Sequence, residues 1–444
     1  MPERPLPFWQ ILLYGMPTTP IAAVVLGVYL YLPAFYAESL GLGLAAVGAV
    51  LLAARLVDAA TDPLIGYLSD RFDSRFGRRK LLSVVAAPVL LVAALALFRP
   101  PADAGAGHLL FWSITLYLAW TLLLLPYSAW GAELSGDYHE RTRVVGAREA
   151  CVVLGTTLAA AAPLVAPPAP DASPAAGALN AIAWFALLSL PPLLALAVAL
   201  LPEPPPLSRR QPSLRAGLRA ILRNRPFRLL LLAFLCNSTA NGLTASLFLL
   251  YVGHVLQAAD AAGPLLLAYF LAGIVSVPLW LRLSRRLGKD RAWSLGLVLA
   301  SLLFVAVPFL GAGDFWPFLA VCLATGLCLG ADLALPGSMQ ADVIDLDMAR
   351  SRAQRTGFFF ALWSMATKLA LALAVGVAFP LLDAVGFAAD AANDAAALAA
   401  LSLLYGLAPI AIKLAAVGFL WRYPIDAKRQ ARLRARLERR LAGA

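Results

Sequence analysis

Apolar residues run along this chain in long blocks, each about the roughly 20 residues that a helix needs to cross a bilayer. "KLLSVVAAPVLLVAALALF" and "LNAIAWFALLSLPPLLALAVALL" are two of them. The blocks predict twelve spans, near 9–36, 43–69, 81–99, 108–132, 146–167, 178–201, 228–254, 261–283, 292–312, 315–338, 357–382 and 396–421. Polar residues gather in the short loops between them, and these loops divide by charge. One set holds Arg71, Arg75, Arg78, Arg79 and Lys80, then Arg141 and Arg143, then seven arginines from Arg209 to Arg228. The same side continues with Arg282, Arg285, Arg286, Lys289 and Arg291, then Arg350, Arg352 and Arg355, then the tail. The opposite loops hold Arg99 alone. Basic loops stay in the cytoplasm, so both termini are expected there.

The pattern breaks once, in "PEPPPLSRRQPSLRAGLRAILRNRPFR". Its prolines end the sixth span. Its second part sets Arg215, Arg219 and Arg223 on one stripe beside Leu214, Leu218 and Leu222, an amphipathic helix suited to a membrane surface. The expected organisation is an N-terminal bundle over 1–201, a linker over 202–227, a C-terminal bundle over 228–421 and a basic tail over 422–444. The tail repeats the device, with Leu433, Leu437 and Leu441 among six arginines after Lys428. Anchoring to anionic lipid accounts for both segments. The two bundles echo each other: "PLIGYLSDRF" from Pro63 matches "PLWLRLSRRL" from Pro278, and "LPYS" from Leu125 matches "LPGS" from Leu335. Internal repeats of this kind mark secondary transporters built from two six-helix bundles.

Composition sharpens this picture and excludes others. Of 444 residues, 61% are hydrophobic and 14% charged, and the mean hydropathy is +0.78. Soluble domains carry about a quarter charged residues, so the fold class is an all-α, multi-pass membrane protein. The net charge of +11 follows from the loop pattern and requires no nucleic acid. The first apolar run, from Phe8, is too long for a cleaved signal. Cys151, Cys236, Cys322 and Cys328 all fall inside spans and read as small core residues. No Walker A loop, His-Glu-x-x-His or Gly-x-Ser-x-Gly motif occurs. An enzyme is therefore not expected, and transport has to draw on a gradient with no resident cofactor.

Few charges remain inside the spans, and ionisable groups at that depth are functional candidates. They are Arg55, Asp58, Asp62, Arg148, Glu149, Lys368 and Lys413. Asp58 and Asp62 stand four residues apart, on one helix face beside Thr61. Two carboxylates there repel each other unless a bound Na⁺ or a shared proton lies between them. Thr121, mid-span on the fourth helix, is a further candidate ligand. The structural alternative pairs Asp58 with Arg55 and leaves Asp62 to brace the turn before Pro63. Arg148 and Lys368 fall on corresponding fifth helices of the two halves, where they suit an anionic or hydroxyl-rich substrate. Ser364 and Thr367 flank Lys368, and Asn237 and Asn241 offer amides to the same interior or to neighbouring helices. In "GYLSDRFDSRFGRRK", Asp70, Arg71, Arg78 and Arg79 form a candidate cytoplasmic gate.

That loop resembles the loop motif of the major facilitator superfamily. More narrowly, "RLVDAATDPLIGYLSDR" with "FYAESLGL", "LPYSAWGAEL", "ERTRVVGAR" and "LWSMATKL" resembles the glycoside–pentoside–hexuronide:cation symporters, the melibiose permease family. The resemblance implies a coupling-cation site at Asp58, Asp62, Thr61 and Thr121, with coupling and substrate roles for Arg148 and Lys368. The positions that carry paired sugar-binding carboxylates in melibiose permease are Ala22 and Leu124 here. In that respect the chain also resembles the family's lysolipid-transporting branch.

The expected function is Na⁺- or H⁺-coupled symport of a small solute by alternating access, a glycoside or other carbohydrate before a lysolipid or other amphiphile. A non-transporting scaffold or receptor on the same fold is the remaining alternative. The expected setting is the plasma (inner) membrane, as a monomer with anionic lipid at the cytoplasmic face.

Overall fold

The structure is a computed structural model. It describes residues 6–71, 77–101, 103–135, 137–165, 174–203, 214–351, 353, 355–387, 393–425, 430 and 432. Arg75, Arg209, Arg210, the tail leucines and both termini lie outside the described residues, and so does the side chain of Arg78.

The described residues are helical almost throughout, as the apolar blocks require. The first helical stretch, α1, spans Phe8–Tyr31. It is interrupted at Pro17, where the helix Phe8–Gly15 gives way to Thr18–Leu26. The long helices that follow are α2 (Leu44–Arg71), α3 (Arg78–Phe98), α4 (Ala106–Glu133), α5 (Tyr138–Ala160) and α6 (Pro174–Leu200). After the linker come α7 (Arg225–Leu250), α8 (Ala262–Leu287), α9 (Lys289–Phe304), α10 (Phe315–Ser351), α11 (Thr356–Ala384) and α12 (Ala395–Leu420). Among the described residues, ten helical stretches are long and apolar enough to cross a membrane. The two remaining long helices, α2 and α5, are the ones that carry Arg55, Asp58 and Asp62 and the Arg148–Glu149 pair.

The chain forms two compact units. Unit 1 comprises Met1–Leu214 together with Arg350–Leu362, and unit 2 comprises Arg215–Ala349 with Trp363–Ala444. In unit 1, α3 packs on α4 and α6, α2 packs on α4, and α1 packs on α5. Its core holds Leu90, Leu97, Leu116, Leu123 and Leu190. In unit 2, α12 packs on α7 and α9, around Leu247, Tyr251, Leu265, Phe318 and Tyr405.

Lipid is as apolar as leucine, so helix pairing in a bilayer rests on close packing and small residues. The α1–α5 contact shows this. A Cβ on Gly155 would stand 2.0 Å from the Thr19 carbonyl oxygen, and Thr19 in turn donates to the Cys151 carbonyl at 3.1 Å. Within the linker a helix forms over Leu214–Arg223. It buries Ile221 and leaves Leu218 and Leu222 exposed beside Arg219 and Arg223, an amphipathic face that suits a headgroup layer.

Candidate functional site

The carboxylates of α2 face α4. Asp58 and Asp62 are 1% and 0% exposed, so both are withdrawn from solvent and lipid alike. The Thr121 hydroxyl lies 3.0 Å from Asp58 Oδ1 and 3.0 Å from Asp62 Oδ1. A hydroxyl has one proton and two lone pairs, so it donates to one oxygen at a time and has acceptor capacity to spare. Arg55 Nη1 stands 3.8 Å from Asp58 Oδ2, and its guanidinium lies over the rings of Tyr29 and Tyr117 at 4.2 and 4.6 Å. Cation–π contact of this kind holds a charge away from water. Arg55, Asp58 and Asp62, taken alone, carry a formal charge of −1 when both acids are ionised.

Thr61 is placed differently from Thr121. Its hydroxyl donates to the Asp58 carbonyl of its own helix at 3.0 Å. Pro63, one residue further on, has no N–H to give the carbonyl four residues back, which leaves the Ala59 carbonyl oxygen without its usual helical donor at the level of the two acids. Among the described residues no group of three His, Cys, Asp or Glu side chains is placed to hold a metal ion. A donor set of two carboxylates and one hydroxyl suits a monovalent cation or a proton.

Arg148, on α5, bonds its neighbour Glu149 through Nε and Nη2 and donates from Nη1 to Ser128 Oγ at 2.8 Å. Beside it Tyr14 and Tyr127 stack at 4.9 Å, with Trp130 edge-on to both. On α11, in unit 2, Ser364 and Lys368 are half-buried, while Thr367 is exposed and donates to the Trp363 carbonyl at 3.1 Å. Asn237 and Asn241 bond a neighbouring helix, one of the two roles the sequence leaves open. Lys413 Nζ donates to Asn237 Oδ1 at 2.8 Å and to Asn241 Oδ1 at 2.6 Å. The reason is reach: α7 and α12 are packed partners, and a buried ammonium requires acceptors.

Asp332 is the residue that the sequence reading missed. It accepts from Asn241 Nδ2 at 3.1 Å and from Trp293 Nε1 at 2.6 Å, with Lys413 Nζ at 3.9 Å. The signal was present, an acid in mid-span.

The end of α2 carries the candidate gate. Arg79 is fully buried and bonds Asp70 Oδ1 at 2.8 Å, Glu133 Oε1 at 3.1 Å and Ser69 Oγ at 2.8 Å. Asp70 also accepts the Gly357 and Phe358 amides, at 2.7 and 2.9 Å. Those amides are at the N-terminus of α11, so Asp70 caps a helix that begins 286 residues further along the chain. This is why the first turn of α11 belongs to unit 1. The approach needs glycine on both sides: a Cβ on Gly66 would lie 2.6 Å from the Gly357 carbonyl oxygen. Burial pushes the Asp70 carboxyl up, while Arg79 and the two amides pull it down. Arg71 lies over Tyr67 at 4.5 Å.

A multi-helix membrane fold with a buried acid pair on α2, and an acid at the end of α2 that caps α11, suits a transporter. Residues 13–427 match the family model described as MFS/sugar transport protein, and the chain belongs to that family. The expected place in the major facilitator superfamily is thereby borne out.

Among its relatives, a glucuronide carrier protein homologue of Escherichia coli (strain K12) is 23% identical over 408 residues, covering 90% of this chain and 89% of the relative. A sodium-dependent lysophosphatidylcholine symporter of Danio rerio is 26% identical over 474 residues, covering 96% and 88%. In fold, the chain is similar to the fucose:proton symporter of Escherichia coli, with a TM-score of 0.71 at 13% identity, covering 94% of this chain and 98% of that one. It is also similar to a proton:xylose symporter, with a TM-score of 0.63 at 15% identity, covering 96% and 98%.

Proposed function

We propose that the chain is a cation-coupled symporter of the plasma membrane, acting as a monomer on a small carbohydrate, and that Asp58, Asp62 and Thr121 hold the coupling ion. The observation that carries this reading is the Thr121 hydroxyl poised between two fully buried carboxylates. Two carboxylates this close repel each other unless positive charge lies between them. Na⁺ or H⁺ supplies that charge, and Thr121 turns its lone pairs toward the arriving ion. The cost of leaving an uncompensated charge in hydrocarbon makes the ion a condition for the next step.

In this reading Arg148 and Lys368 meet the substrate, with Ser364 and Thr367 near Lys368. Asp70, Arg71, Arg78 and Arg79 form the gate, and Asp70 does its work through the α11 amides. The linker helix rests on anionic lipid. Asn237 and Asn241 serve Lys413 before any substrate. The carbohydrate assignment is supported by the family and by the sugar-transporting relatives.

A second reading, an amphiphile such as a lysolipid, is favoured by Ala22 and Leu124 standing where sugar-binding acids are found in melibiose permease. The lysophosphatidylcholine symporters among the relatives support it too.

Uptake into proteoliposomes under an imposed Na⁺ or pH gradient tests the coupling. Asp58→Asn and Asp62→Asn are each expected to abolish gradient-driven accumulation while leaving the protein folded. Unchanged accumulation in both would sink the assignment. Glycosides and lysophosphatidylcholine, offered separately as the transported solute, decide between the substrates.

A further inference from the structure

Unit 2 contains a cavity of about 270 Å³ that the cation-site reading does not use. Its walls come from α7, α8, α9, α10 and α12, and α11, which bears Lys368, contributes nothing to them. Its polar lining centres on the Asp332, Lys413 and Asn241 cluster, with Thr244 and Thr325 also in the walls. The rest is apolar and aromatic, including Phe248, Tyr269, Phe270, Phe304 and Tyr405. A dry cavity of roughly 150 Å³ admits benzene, so this one has room for a single substituted ring.

The polar cluster fixes the charge and the orientation of what fits. Lys413 already sits beside Asp332, with Asn237 and Asn241 sharing its protons. The pair is neutral as a whole, and a ligand with net charge would find no counter-charge in a low-dielectric chamber. Asp332 accepts from Trp293 on one oxygen and from Asn241 on the other. Each carboxylate oxygen has about two lone-pair directions, so acceptor capacity remains. Asp332 and Lys413 keep 14% and 12% exposure and both line the cavity.

We infer that this cavity is a binding site for a small uncharged cyclic or aromatic alcohol, whose ring packs against the aromatic wall and whose hydroxyl donates to Asp332. The site is separate from the Asp58–Asp62 cluster and stands whether or not that cluster binds the coupling ion.

The test uses the full chain in lipid nanodiscs, with four probes of similar size: benzyl alcohol, toluene, benzoate and benzylammonium. Saturable binding is read by ligand-observed NMR, with empty nanodiscs subtracted. Benzyl alcohol is expected to saturate one site, and toluene to bind about tenfold more weakly for want of one hydrogen bond to a charged acceptor. Benzoate and benzylammonium are expected to show no saturable binding. Ala300→Phe, which adds a ring to the α9 wall of the cavity, is expected to abolish benzyl alcohol binding. Asp332→Asn is expected to shrink the preference for benzyl alcohol over toluene. That ratio is internal to one sample and insensitive to the folded fraction. Equal affinity for toluene and benzyl alcohol in the unmodified chain overturns the inference. So does saturable binding of either charged probe, full binding by Ala300→Phe, or no saturable binding at all.

Discussion

Thr121 has one hydroxyl proton and two carboxylate oxygens at equal distance. That count sets what the side chain can do: it donates to one acid at a time, and its lone pairs are left to ligate a cation. Thr121→Val keeps the shape and removes the oxygen. It is expected to weaken cation binding by about tenfold, the worth of one ligand to a charged group, as measured by calorimetric titration of the purified protein. Thr121→Ser is expected to restore most of the affinity. Equal affinity in all three would remove Thr121 from the site. Arg55 makes a complementary case. With its guanidinium over Tyr29 and Tyr117, Arg55→Lys is expected to lose the stacking while keeping the charge, and to slow transport more than it weakens the cation site.

Acids cap two helices from a distance. Glu203 accepts the Arg79 and Lys80 amides at the start of α3, at 2.7 and 3.3 Å, and Asp70 does the same for α11. Caps of this kind are worth about 1 kcal/mol. Glu203→Ala is therefore expected to lower the midpoint of thermal unfolding by about 1–2 °C, the shift that 1 kcal/mol produces in a chain of this length. An unchanged midpoint would show that the cap is idle.

Neither cap was legible in the sequence, because capping residues are ordinarily sought beside the helix they serve. What was legible came from periodicity and depth. The apolar blocks gave the helices, and the four-residue spacing gave Asp58 and Asp62 one face. The partner across the bundle, Thr121, is a candidate from its mid-span place as well as from the family resemblance, and the structure brings it to both acids. The Asp332–Lys413 cluster was half visible. Lys413 stood out as a deep charge, but its acceptors lie 172 and 176 residues away, and no local pattern reports such a pairing. Asn237 and Asn241 stand out by their spacing, and of the two roles the sequence leaves open the structure shows the bond to a neighbouring helix, through Lys413.

At the scale of the whole molecule, α11 is shared. Its residues up to Leu362 group with unit 1, and those from Trp363 with unit 2. Asp70 is the group that fixes its first turn. Asp70→Asn is expected to raise hydrogen exchange at the Gly357 and Phe358 amides by about tenfold, the loss expected for one charge-assisted bond, read by mass spectrometry on peptides over 355–362. Protection equal to the unmodified chain would release Asp70 from that role.

The strength of this fastening also sets what can undo it. A carboxylate at a helix start contributes roughly 0.5–2 kcal/mol, and one monovalent ion moving down a 100 mV potential releases about 2.3 kcal/mol. In the proposed transport cycle, the clasp that Asp70 places on α11 is thus of a size that a single ion's descent is expected to reopen, with no second energy source.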